Sequence, residues 1–362
     1  MMKDINKKNF LASLGMASVF VGGNKILPIL TSVRLQVLKG VLRIYSSDSN
    51  NHIGVNYGKV DSDDINICID YHSLNRYVRA IPDPTFSIEV ISEENSVKVS
   101  HSSGSIILPF FLASDFPEMP NPSKANQFKI NSSLLSYWIS SGEPFLVLDE
   151  FKPQNSVLYL HCESNVLSFC CTDTSNIITA DNTSSHDIPN FELPLHMSNF
   201  PAIRAVLGSC DEASISYDDN DIFIIGNGAM ISIRKLSNMQ YYKYRTVFAI
   251  PATLEMVVDR DAFLSAVNRC SVSASKEHYT IQLSISKEEL KLSCADLDGR
   301  STLETIPANG FDSLDISLNV KSLLFCLKSM DKEVSLTFRD NRNPVFMNSG
   351  NGFRVLTMPN LK

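Results

Sequence analysis

Seven histidines, at positions 52, 72, 101, 161, 186, 196 and 278, are the residues of this chain best suited to proton transfer or metal ligation, and their spacing serves neither. No His-Glu-x-x-His segment sets two imidazoles on one helix face, and no Gly-x-Ser-x-Gly elbow or phosphate-loop lysine occurs. Asp218, Asp219 and Asp221 gather three carboxylates, but a calcium loop also needs a glycine bend and a distal glutamate, so they read as a turn. Gly226 and Gly228 in IIGNGAM fall between two strand patterns, where a hairpin accounts for them better than a phosphate cradle. The expectation is a protein with no catalytic site, no resident metal and no cofactor. The chemistry left is electrostatic. Arg79, Arg204 and Lys328 recur at intervals of 125 (79 to 204) and 124 (204 to 328), near one third of the 362-residue chain. A repeated single cation attracts phosphate oxygens without reading any base.

Each of these cations stands at one point of a copied unit. Residues 68–108, 193–233 and 314–356 each run as an alternating strand, a helix (SLNRYVRAI, NFPAIRAVL, SLLFCLKSM), two alternating strands and a closing apolar strand. A copy this long is a whole domain and not a solenoid turn. Each third also opens with a second helix pattern, over 6–20, 131–142 and 258–275. Apolar residues recur there at helical spacing: Phe10, Leu11 and Leu14; Leu134, Leu135 and Trp138; Phe263, Leu264 and Val267. Asn131 and Asp259 are placed to cap two of these helices. Two helices on a mostly antiparallel sheet make each third an α+β domain. The domains are expected at 1–122, 123–247 and 248–362, with the Pro-rich PEMPNPSKANQ as first joint and the more strand-like YRTVFAIPATLEM as second.

Composition is ordinary, 44% apolar and 20% charged, as in well-packed soluble domains. No apolar run nears the roughly 20 residues that span a bilayer. The opening MMKDINKKNF lacks the apolar core of a signal peptide, so a cytoplasmic protein without membrane contact is expected. Eight cysteines form no Cys-x-x-Cys pair and read as reduced core residues. A formal charge of −7 argues against a protein that coats nucleic acid. It is compatible with cations concentrated on one inward face and acids kept outside.

Several segments resemble the bacterial β sliding clamp family, the processivity factors of replicative DNA polymerase. They are KILPILTSVRLQV (25–37), SGSIILPFFLASDFPEMP (103–120), MQYYKYRTVFAIP (239–251), VDRDAFLSAVNRCSVSAS, LDISLNVKSLLFCLKSM and the terminal RVLTMPNLK. In order and spacing they cover nearly the whole chain. The resemblance implies three similar clamp domains forming half of a ring, closed head to tail by a second copy around duplex DNA. Helices would line the hole and sheets form the shell. The implied protein is not an enzyme; it acts by topology, without sequence specificity, and tethers the replicative polymerase for processive synthesis. The repeat and the resemblance together assign DNA contacts to Lys25, Arg76, Arg79, Lys152, Arg204 and Lys328.

The resemblance also implies that polymerase and clamp loader bind through short linear peptides, in a groove between the middle and last domains. Carried over residue by residue, the groove comprises Gln154, Thr172, Thr174, Ser175, Asn176, Ile177, Tyr242, Thr246, Val247, Leu356, Met358, Pro359 and Asn360. This chain departs from the family pattern in several places. TDGHRL becomes TDTSNI at 172–177, a proline becomes Tyr242, an arginine becomes Thr246, and Asn360-Leu361 replace Met-Arg. Positive charge is lost, so an altered peptide consensus with weaker preference for acidic flanks is expected. The plainer alternative is that the pocket has decayed and Leu356 and Met358 are core. Ring closure is implied at Ile106 and Leu108 of the first domain against Val272 and Ser273 of the third, where Ser273 replaces an apolar family residue. An exposed SIILPFF edge would invite aggregation, a physical reason for a partner strand. The competing functional reading is a modular, non-catalytic binding protein that keeps the clamp fold without encircling DNA.

Overall fold

The sequence places an Asn or Asp at the end of a strand again and again, and each such residue starts a helix. A computed structural model describes residues 1–22, 27–122, 126–183, 187–208, 210–236, 239–274, 279–296 and 299–360. Its helices are α1 (Lys7–Ala17), α2 (Tyr71–Ala80), α3 (Ser132–Gly142), α4 (Phe200–Leu207), α5 (Tyr244–Phe248), α6 (Arg260–Ser271) and α7 (Val320–Lys328). Asn6, Asp70, Asn131, Asp259 and Asn319 each close a strand and accept a backbone N–H from the first turn of the following helix. Such caps satisfy donors that the helix itself leaves open, at about 1 kcal/mol each. α4 lacks a side-chain cap and starts instead on Pro201, whose missing N–H costs nothing in the first turn.

The described residues form two compact units. The first holds Met1–Ser136 and Ser198–Ser237, the second Tyr137–Met197 and Asn238–Lys362. In the first unit a twelve-stranded antiparallel sheet runs in the order Met2–Asn6, Thr85–Ile91, Ser96–His101, Gly104–Leu112, Ile65–Asp70, Ser32–Leu38, Val41–Ser47, His52–Lys59, Ala229–Arg234, Asp221–Gly226, Glu212–Tyr217, Gln127–Asn131. α1, α2 and α4 pack on it. In the second unit an eight-stranded sheet runs Phe191–His196, Val157–Glu163, Val166–Thr172, Asn176–Thr183, Phe353–Thr357, Val345–Asn348, Glu333–Phe338, Leu254–Asp259. A four-stranded sheet, Ser301–Pro307, Glu289–Ala295, Thr280–Ile285, Leu314–Asn319, completes it. Helices segregated against antiparallel sheets are the expected α+β arrangement.

Each unit contains one seam where strands from two of the expected domains pair. His52–Lys59 pairs with Ala229–Arg234, and Asn176–Thr183 pairs with Phe353–Thr357. Two residues of each predicted helix trio are buried: Phe10 and Leu14, Leu135 and Trp138, Phe263 and Val267. Trp138 stacks on Phe169, with centroids 5.0 Å apart, and Phe169 meets Phe353 edge-on. Each such side chain contributes about 1.5–3 kcal/mol by leaving water. All eight cysteines are free, and only Cys210 is not buried.

The turn readings agree with the structure. Asn227 and Gly228 close a two-residue hairpin in left-handed conformation, with Gly226 opposite Ala229. Asp218 Oδ1 accepts the N–H groups of Asn220 and Asp221. The strand-like reading of the second joint needs correction. Its first residues, Tyr244–Phe248, form α5, and only Leu254–Asp259 is a strand. Tertiary anchoring of Tyr241 and Tyr244 through their hydroxyls accompanies the helical turn.

Candidate functional site

Arg79 lies nine residues past the strand end Asp70, Arg204 eight past His196 and Lys328 nine past Asn319. The repeated strand-to-helix junction thus delivers a cation to the second half of α2, α4 and α7. Arg76, Arg79 and Lys328 are exposed. Arg79 Nε donates to Asn75 Oδ1 one turn back at 3.0 Å. Arg204 is half-buried, its guanidinium 5.9 Å from the Phe200 ring centroid. Lys152 is exposed on a loop whose backbone is tied down by Asp149, which accepts the N–H groups of Phe151 and Lys152. Lys25 lies outside the described residues.

The groove residues gather in the second unit, at one end of the eight-stranded sheet. Strand register sets Thr172 opposite Ile177, Ile177 opposite Leu356 and Asn176 opposite Thr357. The Met358 N–H donates to the Ser175 carbonyl at 2.9 Å. Between the strands, residues 172–176 form a tightly bonded turn. Asp173 Oδ1 accepts from Ser175 and Asn176 N–H, and the Thr172 hydroxyl accepts from Thr174 N–H and donates to the Asn176 carbonyl. The Asn176 amide donates to Asp173 and to Ser322 of α7, and accepts from the Thr357 hydroxyl at 2.7 Å. Thr174, standing where the family pattern has glycine, sits at φ +79°, a region costly for a β-branched residue.

A second wall comes from the segment leading into α5. Tyr241 stacks on Tyr159 at 4.2 Å and donates its hydroxyl to the Cys170 carbonyl. The Tyr244 hydroxyl and His161 Nε2 are 2.8 Å apart, and Arg245 pairs with Glu163. Burial, and then the nearby Arg245 charge, hold the His161 imidazole below its ordinary pKa. Gln154 donates to the Gln240 carbonyl, and the Tyr242 hydroxyl donates to Asn155 Oδ1. Phe248 of α5 packs against Phe346, which stands opposite Leu356. Cys170 and Thr172 share one face of their strand, so this wall covers the face that carries Thr172, Ile177 and Leu356.

Burial sorts the thirteen predicted groove residues. Thr172, Asn176, Ile177, Leu356 and Pro359 are buried. Thr172, Ile177 and Leu356 share the covered face, whereas Asn176 points to the other face, towards Ser322 of α7. Thr174, Ser175, Tyr242, Thr246 and Met358 are exposed, with Met358 at 38%. Gln154, Val247 and Asn360 are half-buried, and Asn360 is tied to the four-stranded sheet through Ser317 and Thr280. The sequence reading missed Tyr241, Tyr244 and His161, which hold the wall in place. The run YYKY was the available signal, since clustered tyrosines usually need hydroxyl partners when buried.

The residues expected at the ring-closing contact divide as well. Val272, the C-cap of α6, is 73% exposed, and Ile106 is half-buried. Leu108 and Ser273 are buried within the chain, Ser273 with its hydroxyl on Thr302. Alternation along the strand turns Leu108 inward and leaves its neighbour Ile107 57% exposed. Residues 104–109 pair with Ser96–His101 on one side and, among the described residues, with no strand on the other. Ser301–Pro307 is likewise a terminal strand, carrying Leu303 at 70% exposure.

A scaffold of repeated strand–helix units, each with a helix cation, plus an apolar groove at a strand seam, is a binding protein that could engage a polyanion and a peptide at once. Comparison with known proteins agrees. Residues 1–120 match the family model for the DNA polymerase III beta subunit N-terminal domain, and residues 245–359 match that for its C-terminal domain. A beta sliding clamp of Rickettsia felis is 22% identical over 358 residues, covering 95% of this chain and 94% of the relative. One of Synechococcus elongatus is 24% identical, covering 96% and 95%. The crystal structure of a DNA polymerase sliding clamp from Pseudomonas aeruginosa superposes with a TM-score of 0.93 over 100% of both chains, at 18% identity. The chain belongs to the DNA polymerase III beta subunit family.

Proposed function

We propose that this protein is a DNA sliding clamp, built as three domains at 1–122, 123–247 and 248–362. Two copies close head to tail around duplex DNA, and the ring holds a polymerase to its template. The observation that carries this reading is the cation delivered eight or nine residues past a strand end in all three repeats. Such a lining attracts phosphates and reads no sequence, as sliding requires. Closure would pair the edge at 104–109 with Ser301–Pro307 of a second copy, covering Ile107, Leu303 and Val272. Polymerase and clamp loader would dock through short peptides over Met358, Tyr242 and Val247.

The protein performs no reaction in this account; residence on DNA comes from topology. Its place of action would be the cytoplasm, and among the described residues no helix is long and apolar enough to cross a membrane. The test is retention. Protein loaded onto nicked circular DNA should survive high salt and be lost when the circle is cut. Loss from the intact circle at the same salt would favour a binding protein that does not encircle. Arg79→Ala and Lys328→Ala, each removing two cations from a two-chain ring, should each lower the salt slope of DNA binding by up to about 1.8.

A further inference from the structure

The first unit repeats the groove architecture at its own seam, with different chemistry. Ser46 donates to the Ala17 carbonyl at the end of α1, so its neighbour Tyr45 and the register partners Arg34 and Gly54 face away from that helix. Over this face runs the joint between the first two repeats, as α5 and its lead-in cover the second seam. Glu118 of the joint accepts from Arg34 Nη1 at 2.8 Å. Met119 lies over Gly54, where an added Cβ would come within 3.4 Å of its sulfur and 2.8 Å of the Tyr45 ring. Beneath the joint is a cavity of about 240 Å³ whose walls include Arg34, Arg43, Tyr45, His52 and Glu118.

Its electrostatics are unlike those of the second seam. Arg34 is 5% exposed and His52 6%, whereas Arg43 is exposed at the rim. His52 Nδ1 is buried without a hydrogen-bond partner, and so is the Ser232 hydroxyl directly across the strand pair. Buried polar groups left unsatisfied are costly, and each calls for a partner such as a water or a ligand. The nearby acids have other duties: Asp48 holds its own turn, and Asp221 lies 3.6 Å from Arg234.

We infer that the cavity at the seam of His52–Lys59 and Ala229–Arg234 is a second binding site, taking a carboxylate carried by a peptide side chain or by a small free acid. The ligand oxygens would accept from His52 and Arg34 within the cavity and from Arg43 at the rim. Glu118 is the chain's own carboxylate on Arg34, and a ligand competes with it. This site is independent of the peptide groove and of ring closure.

The test is a titration of full-length protein carrying isotope-labelled histidine, read by NMR, with His52→Gln used to assign the His52 signals. The probes are N-acetylglutamate and the capped pentapeptide Gly-Ala-Glu-Ala-Gly, with sodium chloride at matched ionic strength as control. A saturable shift of the His52 ring signals with either probe supports the site. Arg43→Ala, an exposed change that leaves the core intact, should then weaken binding about tenfold, the scale of one charge-assisted hydrogen bond. Glu118→Gln should strengthen it. Saturation at lower peptide than free-acid concentration identifies a peptide as the natural source, and the reverse order a small acid. No saturable shift, the same shift with chloride, or indifference to Arg43→Ala overturns the inference.

Discussion

Val272→Ala should weaken ring closure without weakening the fold. Val272 sits at helical φ and ψ, −65° and −32°, at the end of α6, where alanine is at least as well accommodated. Its side chain is 73% exposed in the single chain, so the monomer gains little from it. In the proposed ring it is covered by Ile106 of the second copy. Alanine removes two methyl groups; at about 0.8 kcal/mol per buried group, scaled by the exposed fraction of 73%, the loss is about 1.2 kcal/mol per contact. A two-chain ring contains the contact twice, so the dimer should lose about 2.3 kcal/mol, or about fiftyfold in dissociation constant. Sedimentation equilibrium over a dilution series measures this, with a thermal melt of dilute monomer alongside. Ile107→Lys should do more, because it carries a charge into the seam. If both variants dimerise as the parent does, or if the monomer melts early by a comparable amount, the assignment of these edges is refuted.

Three further outcomes are expected. Asn176→Ala removes three side-chain hydrogen bonds joining the 172–176 turn to α7 and to Thr357; at about 1 kcal/mol each it should destabilise the chain by about 3 kcal/mol in urea. Thr174→Gly relieves a left-handed threonine costing about 1–2 kcal/mol, partly offset by the greater freedom of an unfolded glycine, for a net gain of about 0.5–1 kcal/mol; a lower urea midpoint would contradict the strain argument. His52 and His161 are held by burial below their ordinary pKa of 6.5. They therefore bind fewer protons folded than unfolded, so stability should fall as pH drops below 6.5, with a slope of up to about 1.4 kcal/mol per pH unit for each. His161→Gln should remove its share of that slope in urea midpoints taken across the range, and an unchanged slope would count against buried neutral imidazole.

Where the sequence was legible, the reason is that the physics is local. Asn131 and Asp259 could be named as caps because a cap bonds to residues only three along the chain. The Asn227–Gly228 hairpin and the Asp218 turn were legible for the same reason. The groove residues could be listed by family pattern, but their roles could not. Leu356 and Met358 are two residues apart, yet one is 2% and the other 38% exposed, because only Leu356 has Ile177 and Phe346 paired beside it. Leu356 is therefore buried and Met358 exposed, a difference that the family pattern did not carry.

The sequence by itself determined the repeat, the helix starts, the tight turns and the recurring cation, since each depends on contacts a few residues apart or on copying. It also carried enough family pattern to point to a clamp. Tertiary structure decided which apolar residues face water, turned Leu108 inward and Ile107 outward, and wound Tyr244–Phe248 into a helix. It also forced Thr174 into a left-handed conformation and set His52 beside Ser232 under a joint from elsewhere in the chain. Those outcomes follow from pairing between strands some 180 residues apart, such as His52 with Ser232 and Ile177 with Leu356. Burial is set by the partner strand and the segment laid over it, and no short window of sequence contains either.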